Sequence, residues 1–400
     1  MHDRLSRKLT GFGTTIFTEM TRLANERGAI NLAQGFPDFD GPEFVKDAAV
    51  AAIRAGHGQY ARMSGIPPLN AALARKYLRD YGLVYDGDTE ITVTSGATEA
   101  IFATLQGLTD VGDEVVMFEP FYDSYRASVY MAGAIPRVAT LRTPGGDGPA
   151  WSFDRDAVRA LFGPRTRVLL LNSPHNPTGK VFSRDELEFL AGLCEEHDVV
   201  CVSDEVYEHL VFDGEHIPMA TIAGMRARTV TISSLGKTFS LTGWKIGWAA
   251  APPDLTFAIR SAHQFITFAT ATPLQHAAVA AIDAPPAFYR QLTADYREKR
   301  DLLVGELARI GFDLLPPAGT YFACAGFGRF ADGAGAPFKD DIAFTKHLID
   351  VGVAVIPPSV FYVHPEHGRS YVRFAFCKRE ETLRAAVARL EVLSPTSRES

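Results

Sequence analysis

Lys237 and Lys245 lie eight residues apart in an apolar, glycine-punctuated segment, SLGKTFSLTGWKIGW, which follows the strand-like stretch RTVTISS. Burial lowers the pKa of an amine, and only a neutral amine forms an imine with an aldehyde. Both lysines stand among apolar neighbours, which suggests burial, although Lys237 taken alone also fits a surface position, where the aliphatic stem lies on the protein and the charge reaches water. Whether the lysines are reactive groups or surface residues must therefore be judged from the other residues of the predicted site.

Polar and aromatic residues follow the strand-like runs of the sequence at the point where each run ends. They are, in chain order, Gly96, Ala97 and Thr98 after EITVTS, Tyr122 after EVVMFEP, Asn176 after RVLLLN, Asp204 and Tyr207 after VVCVS, and Ser234 and Lys237 with TVTISS. Several runs are continuously apolar and alternate with helical patterns, which predicts a mainly parallel sheet with right-handed crossovers. Because open parallel sheets bind ligands at the carboxyl ends of their strands, we expect these side chains to form one site.

Each of these pieces also has a simpler interpretation. The stretch SGATEA fits a plain helix start, although its N–H groups equally suit a phosphate at the helix dipole. It is not a P-loop, because GxxxxGK[ST] is absent. Taken singly, Tyr122 fits a packing aromatic, Asp204 fits a helix cap, and HNPTG fits a turn.

The residues taken together have a specific chemical meaning. A lysine can form an imine with an aldehyde, and a buried carboxylate is stabilised by a cation such as a protonated pyridine nitrogen. A phenol and an amide can bond a ring oxygen, an aromatic side chain can stack on a planar ring, and a helix start with a serine and a second lysine can hold a phosphate. These are the requirements of pyridoxal 5′-phosphate, which the sequence therefore predicts as the cofactor.

Composition excludes several other classes of function. The net charge of −7 predicts no basic face, so nucleic acid is not expected as a partner. The four cysteines form no CxxC pair and no histidines have HExxH spacing, so no disulfide scaffold or metal site is predicted. No apolar run approaches the ~20 residues that span a bilayer, and no secretory signal follows the basic N-terminus. We expect a cytoplasmic protein without membrane contact and with buried, reduced thiols.

The patterns change character along the chain. The alternation of strands and helices is clear from about Glu90 onward, whereas a long amphipathic helix and short strands follow Ala287. We expect an N-terminal segment, 1–40, that packs with the small domain, a large cofactor-binding domain, 41–286, and a small α+β domain, 287–400.

Four motifs, NSPHNPTG, SDEVYEHLVF, SSLGKTFSLTGWKIGW and YVRFAFCK, together resemble the class I/II aminotransferases, which are fold-type I pyridoxal-phosphate enzymes. NLAQGFPDF and FEPFYDSY narrow the resemblance to the branch of kynurenine/glutamine transaminases, methionine aminotransferases and succinyldiaminopimelate aminotransferases. The resemblance extends from Phe17 to Lys378. It implies an α/β fold-type I architecture, with a mainly parallel central sheet flanked by helices and a smaller α+β domain.

The resemblance implies catalytic and ring-binding roles for five residues. Lys237 matches the lysine that forms the Schiff base with the cofactor and then moves the substrate α-proton. Asp204 matches the partner of the pyridinium nitrogen. Asn176 and Tyr207 flank the ring oxygen, and Tyr122 takes the place of the aromatic that stacks on the ring.

The phosphate and the substrate are assigned by the same resemblance. The phosphate-binding residues are Gly96, Ala97, Thr98, Ser234 and Lys245, joined by Tyr60, which matches a tyrosine that reaches the phosphate of a neighbouring subunit. Many relatives have arginine where Lys245 stands, and lysine supplies charge without the bidentate fork. Arg373 and Asn176 match the residues that bind the substrate α-carboxylate, Gly35 brings a backbone N–H near it, and Phe17 matches a pocket aromatic. A homodimer with active sites shared across the interface is implied.

The predicted activity is ping-pong transamination between an L-amino acid and a 2-oxo acid. Dicarboxylate-specific relatives often use a second arginine from the partner subunit, and the related segment between Arg260 and Arg290 contains none. We therefore expect a neutral side chain, apolar or aromatic, on at least one substrate. The kynurenine branch carries an aromatic–histidine pair where this chain has Thr270-Ala271, so kynurenine and glutamine specificity is not implied.

Other functions stay open at this point. The same residues suit β-elimination from cysteine conjugates, and a specialised biosynthetic aminotransferase, such as one for succinyldiaminopimelate, fits the branch. A silent regulator with this fold is the non-enzyme alternative, against which the intact set of Lys237, Asp204 and Arg373 argues. A nicotinamide dehydrogenase is disfavoured, because no GxGxxG follows a strand.

Overall fold

The computed structural model describes residues 6–9, 11–13, 16–144 and 150–393. The strands are β1 Ile30–Asn31, β2 Ile91–Ser95, β3 Glu114–Glu119, β4 Ile135–Thr140, β5 Thr166–Asn172, β6 Val200–Asp204, β7 Thr229–Ser234, β8 Ile246–Ala250, β9 Asp313–Leu315, β10 Phe322–Gly326, β11 Val353–Ala354 and β12 Tyr371–Ala375. The helices are α1 Ile16–Arg27, α2 Glu43–Arg54, α3 Pro67–Tyr81, α4 Gly96–Leu108, α5 Asp123–Met131, α6 Arg155–Arg159, α7 Arg184–Glu196, α8 Leu235–Thr238, α9 Pro253–Ile266, α10 Thr272–Ile282, α11 Pro286–Ile310, α12 Asp341–Val351 and α13 Glu380–Leu390.

The largest sheet has seven strands in the order β2-β8-β7-β6-β5-β3-β4. Strands β3 to β7 pair in parallel, whereas β8 runs antiparallel to both β2 and β7. Asn172 of β5 lies opposite Asp204 of β6, and Asp204 lies opposite Ile232 of β7. The carboxyl ends of these strands therefore meet at one rim, as the sequence predicts.

Helices cover the sheet on both faces, which explains why its central strands are continuously apolar. On β3, Val115 and Met117 pack in a cluster with residues of α4, α5 and α9. The alternate residues Val116 and Phe118 pack on the opposite face with residues of α7. The period-two alternation of a strand thus places both sets of side chains in a core.

Most of the predicted elements are confirmed. α7 begins with the predicted capping box, in which Ser183 accepts from the backbone of Glu186 and the Glu186 side chain accepts from the backbone of Ser183. The strands β4 and β8 were not among the predicted runs. β4 contains a proline and is half exposed, as an edge strand is, and β8 consists largely of small residues.

The C-terminal part of the chain contributes a second, smaller unit. Its three-stranded sheet has the order β12-β10-β9, all antiparallel, and it packs with α11, α12 and α13 in one core. The N-terminal strand β1 pairs in parallel with β11 of this unit. These contacts support the proposed division into 1–40, 41–286 and 287–400, which stays a prediction.

Over the ranges described, no helix is both long and apolar enough to cross a membrane. In the same ranges, no group of three histidine, cysteine or acidic side chains is arranged to hold a metal ion.

Candidate active site

A cavity of about 230 Å³ lies at the rim of the seven-stranded sheet. Most of the predicted site residues line it, namely Gly96, Ala97, Thr98, Tyr122, Asn176, Asp204, Tyr207, Ser234, Lys237 and Lys245. They come from five different segments of the chain, so the common rim of the strands brings them together. The other four predicted residues, Gly35, Arg373, Phe17 and Tyr60, lie outside its lining.

Lys237 lies on the short helix α8, which follows β7 directly and has Ser234 at its N-cap position. Its amine lies 5.6 Å from the ring centroid of Tyr207 and 5.6 Å from that of Tyr321. Desolvation lowers the pKa of Lys237 to about 8, with smaller opposing effects from Cys377 and Asp204. At neutral pH most of this lysine is still charged, but its neutral fraction is far larger than that of an unperturbed lysine, and a neutral amine is a nucleophile and a base.

Gly96 opens α4 at one end of the cavity with a φ of +74°, a conformation that favours glycine. A Cβ on Gly96 would stand only 3.1 Å from Nζ of Lys245, so the lysine lies directly beside the helix start. The N-terminal N–H groups of a helix and a lysine together form a site for an anion. Lys245 is exposed, which differs from the buried position that its apolar neighbours suggested.

Asp204 also lines the cavity; it ends β6 and is buried. Tyr125 donates a 2.6 Å hydrogen bond to one carboxylate oxygen, and the backbone of Val206 donates a 3.3 Å bond to the other. Desolvation raises the pKa of Asp204 to about 6, although the bond from Tyr125 opposes that rise. A cationic partner inside the cavity would stabilise the ionised carboxylate.

Among the lining residues that were not predicted, two form hydrogen bonds with predicted site residues. Asn172 ends β5; its amide donates to the carbonyl of Asp204 at 2.9 Å, and its side-chain oxygen accepts from the backbone of Asn176 at 2.8 Å. Tyr125 stands three residues after Tyr122 on α5. Two sequence signals could have found them. Asn172 stands at the carboxyl end of a parallel strand, and Tyr125 is three residues from Tyr122, a spacing that brings side chains together on a helix.

Arg373 lies just beyond the cavity on β12 and is 1% exposed. It donates to the side-chain oxygen of Asn176 at 3.1 Å and to the carbonyl of Ala33 at 2.8 Å. Among the described residues, its Nε has no hydrogen-bond partner and no carboxylate forms an ion pair with it. Burial lowers the pKa of Arg373 to about 10, which leaves the guanidinium charged at neutral pH.

Aromatic rings surround the Arg373 guanidinium. Its central carbon lies 4.1 Å from the ring centroid of Phe322, 5.1 Å from that of Phe361 and 5.6 Å from that of Phe17. Phe17 and Phe361 also contact each other, with ring centroids 5.9 Å apart. Phe322 and Phe361 were not predicted, since they come from different segments of the small unit. Phe17 is therefore close to Arg373, as the resemblance implies.

Side chains of the small unit hold the segment that contains Gly35. The carbonyls of Ala33, Gly35 and Phe36 accept from Arg373, from Tyr321 at 2.6 Å and from Lys378 at 2.7 Å, respectively. A Cβ on Gly35 would lie 2.6 Å from the ring of Phe322, so a larger residue would push on the aromatic cluster.

The same segment also caps a helix of the small unit. Asp38 accepts from the backbone of Arg379 at 2.7 Å and from the hydroxyl of Thr382 at 2.6 Å, at the start of α13. These contacts hold the segment that contains Gly35 against the small unit.

Tyr60 is the predicted site residue that lies farthest from this arrangement. Its side chain is 88% exposed and contacts Phe268 edge to face, with ring centroids 5.7 Å apart. A tyrosine so placed contributes nothing to the cavity of its own chain.

Comparison with known proteins agrees with this geometry. The profile of the family "Aminotransferase class I and II" matches residues 27–390. The chain is 44% identical to the probable N-succinyldiaminopimelate aminotransferase DapC of Mycobacterium tuberculosis, over 97% of this chain and 98% of that protein. It is 40% identical to the methionine aminotransferase of Escherichia coli, over 96% and 97% of the two chains.

The fold comparison gives the same answer. The solved structure of N-succinyldiaminopimelate aminotransferase from Mycobacterium tuberculosis superposes with a TM-score of 0.92, covering 98% of this chain and all of that one. A family profile that covers most of the sequence, together with relatives aligned over almost their whole length, establishes the family and its cofactor. The chain belongs to the class I and II aminotransferases and is a pyridoxal-phosphate-dependent transaminase.

Proposed function

We propose that the rim cavity holds pyridoxal 5′-phosphate, with its phosphate at the start of α4 and its ring nitrogen at Asp204. The residues fit this group at both ends. The cation of Lys245 stands close to Gly96 at the helix start, where an anion would bind, and the buried Asp204 has a raised pKa that a cation would lower. When bound, pyridoxal phosphate supplies an aldehyde for the amino group and a ring that accepts electrons from the α-carbon.

Lys237 is the proposed general base and acid. Because burial lowers its pKa to about 8, its amine can accept the α-proton of the amino acid and would deliver it to the aldehyde carbon of the cofactor. The neighbouring rings of Tyr207 and Tyr321 both lie near the amine and limit where it can move. Ser234, at the start of α8, and Lys245 hold the phosphate in this proposal, together with the N–H groups of Gly96, Ala97 and Thr98.

Four further residues would hold the ring. Asp204, whose carboxylate is fixed in place by the hydrogen bond from Tyr125, would keep a proton on the ring nitrogen. Asn176 and Tyr207 would donate hydrogen bonds to the ring oxygen, and Tyr122 would stack on the ring face.

Arg373 is the proposed binding residue for the substrate α-carboxylate. Burying an arginine whose hydrogen bonds go only to neutral oxygens costs stability unless an anion also binds the guanidinium. Among the described residues the Nε of Arg373 has no acceptor, so it is available to a substrate carboxylate. The bond from Arg373 to Asn176 joins the carboxylate site to the cofactor cavity. The proposal rests on one observation: the desolvated Lys237 and the buried Asp204 line one cavity, and Arg373, which has no ion-pair partner among the described residues, is hydrogen-bonded to its lining.

The side-chain pocket favours a neutral amino acid, apolar or aromatic. Phe17, Phe322 and Phe361 surround the carboxylate site, and their rings offer hydrophobic contact. A specialised biosynthetic role is the second candidate, since the relative with 44% identity is named for N-succinyldiaminopimelate. The cytoplasmic location stays a prediction.

We further propose a homodimer with shared sites. Exposed aromatic side chains support it, because Tyr60, Phe257 and Phe265 are each more than three-quarters exposed in the single chain. Phe257 and Phe265 stand eight residues apart on α9, which places them on the same helix face. Burial of this face against a second copy would bring Tyr60 to the partner's phosphate.

A panel of amino donors tests the function. Each donor is mixed with the loaded protein without an oxo acid, and the absorbance of the bound cofactor is followed through a single half-reaction. Apolar and aromatic donors should convert the cofactor to its amino form, whereas Lys237→Ala should lack both this conversion and the visible absorbance of lysine-bound cofactor. Release of pyruvate and ammonia from cysteine conjugates would indicate elimination instead, and visible lysine-type absorbance in Lys237→Ala would refute the assignment.

A further inference from the structure

A buried histidine connects the start of α4 with the segment that contains Tyr60. His263 on α9 is fully buried, and its two ring nitrogens both face acceptors. Nδ1 lies 2.5 Å from a carboxylate oxygen of Glu99, and Nε2 lies 3.0 Å from the carbonyl of Met63. None of these groups lines the cofactor cavity, so the proposed function does not use them.

The protons of this arrangement can be counted. A carbonyl only accepts, so the contact with Met63 requires a proton on Nε2 of His263. The contact between Nδ1 and Glu99 requires one more proton, whichever of the two atoms carries it. The His263–Glu99 pair therefore has no net charge, either as imidazolium with carboxylate or as two neutral groups.

The neutrality of the pair matters because of where Glu99 lies. Its second carboxylate oxygen accepts a hydrogen bond from the backbone N–H of Ser95, immediately before Gly96. An unpaired carboxylate here would repel an anion at the start of α4 with little water between them. Arg260 does not neutralise it, because that side chain donates to Thr92 and to the carbonyls of Asp88 and Ile91.

We propose that His263 is a positioning residue that neutralises Glu99, so that the Ser95–Gly96 turn is held in place without opposing the cofactor phosphate. The carboxylate fixes the turn through Ser95, and the histidine supplies the proton that cancels its charge. This inference rests on the proposed phosphate position. The bond to Met63, three residues after Tyr60, ties the same pair to the segment that should reach the partner subunit.

Two substitutions and their combination separate the effect of charge from that of packing. Glu99→Gln keeps an acceptor for Ser95 and a partner for neutral His263, so affinity for an anion should stay within about threefold of wild type. His263→Gln leaves the carboxylate without its proton, and the Kd of the cofactor-free protein for pyridoxal phosphate should rise at least about tenfold. The double variant also removes the carboxylate, so its affinity for pyridoxal phosphate should return most of the way to that of wild type. Its packing is no better than that of His263→Gln, so this recovery would be due to charge.

The measurement is isothermal titration of each cofactor-free protein with pyridoxal phosphate and with inorganic phosphate. His347→Gln on α12, where the ring contacts Phe338, is the matched control and should leave both affinities unchanged. Equal losses in His263→Gln and in the double variant would overturn the inference, because a packing role has that result. A tenfold loss in Glu99→Gln alone would also overturn it, even if His263→Gln fails to fold.

A fourth variant keeps the two proposals distinguishable. Lys245→Gln should weaken phosphate binding whatever the role of His263, because it removes the cation beside Gly96. Unchanged phosphate affinity in Lys245→Gln would refute the proposed phosphate position itself. Rescue in the double variant, together with a loss in Lys245→Gln, is the result expected from both proposals.

Discussion

The two halves of the candidate site differ in how their charged groups are paired. In the cofactor half, the cavity at the rim of the large sheet, the Asp204 carboxylate receives hydrogen bonds from Tyr125 and Val206, and desolvation has lowered the pKa of Lys237 to about 8. In the substrate half, formed by Arg373 and its three phenylalanines, the guanidinium lies against aromatic rings, and among the described residues it donates hydrogen bonds only to neutral oxygens.

The difference suggests a division of labour. The cofactor half has its hydrogen bonds in place before any amino acid arrives, as preorganised catalytic groups need. The substrate half contains a desolvated cation whose coordination an arriving carboxylate would complete. Substitutions in the two halves should therefore separate chemistry from substrate recognition.

The largest effect is expected in the cofactor half. Asp204→Ala removes the carboxylate proposed to hold the ring nitrogen protonated, so kcat/KM should fall on the order of 10³-fold for every donor. Steady-state kinetics with the loaded enzyme measures this loss. Tyr125→Phe removes only the supporting bond and should have a much smaller effect. If kcat/KM fell for only some donors, Asp204 would be acting in substrate recognition, and the proposed division between the two halves would be wrong.

The next effect belongs to the substrate half. Arg373→Lys keeps the charge but loses the planar fork, so kcat/KM for amino acids should fall on the order of 10²-fold. The Kd of the cofactor-free protein for pyridoxal phosphate should stay within about twofold of wild type, because Arg373 lies outside the cavity lining. Titration and kinetics on the same preparation test both statements. Parallel losses of cofactor and substrate binding would indicate a structural arginine.

The pH dependence sharpens the description of the cofactor half. Because burial lowers the pKa of Lys237 to about 8, its neutral form increases as the pH rises through that value. The rate of covalent capture of pyridoxal phosphate by the cofactor-free protein should rise over the same range. The Asp204 charge raises this pKa, so Asp204→Asn should move the midpoint to lower pH. Stopped-flow absorbance measures the rates, and a shift to higher pH would contradict the electrostatic argument.

The smallest effect concerns the aromatic cluster. Phe17→Leu removes ring contact near Arg373, so kcat/KM for aromatic donors should fall about fivefold relative to alanine as donor. Phe44→Leu on α2, also half exposed but packed against Phe288, is the matched control. Competition between two donors in one reaction gives the ratio directly. An unchanged ratio would remove Phe17 from the substrate half.

Much of the cofactor half could be predicted because strand ends in a parallel sheet share one rim. That rule, applied to local patterns alone, selects Tyr122, Asn176, Asp204 and Lys237, all of which line the cavity. The strand β8 escaped it, since IGWAA has neither alternation nor a continuous run of large apolar residues. Its antiparallel insertion between β2 and β7 is what places Lys245 beside Gly96.

The substrate half was less accessible from sequence patterns. Phe322 and Phe361 meet Arg373 only because separate segments of the small unit fold together, and no local period encodes that contact. The pairing of His263 with Glu99 joins residues 164 positions apart, and neither residue lies at a strand end. The family resemblance implied Arg373, Gly35 and Phe17 as site residues, but it contained nothing about the groups that hold them.

The hydrogen bonds that hold the segment 33–38 against the small unit have a practical consequence for handling the protein. Carbonyls of this segment accept hydrogen bonds from Arg373, Tyr321 and Lys378, and Asp38 caps α13. The segment is therefore bound to the C-terminal small unit by several hydrogen bonds. A protease cut near Gly41 would sever the peptide link, yet the fragment would stay attached through these bonds. Nicked enzyme should thus retain its colour and run as two bands only after denaturation.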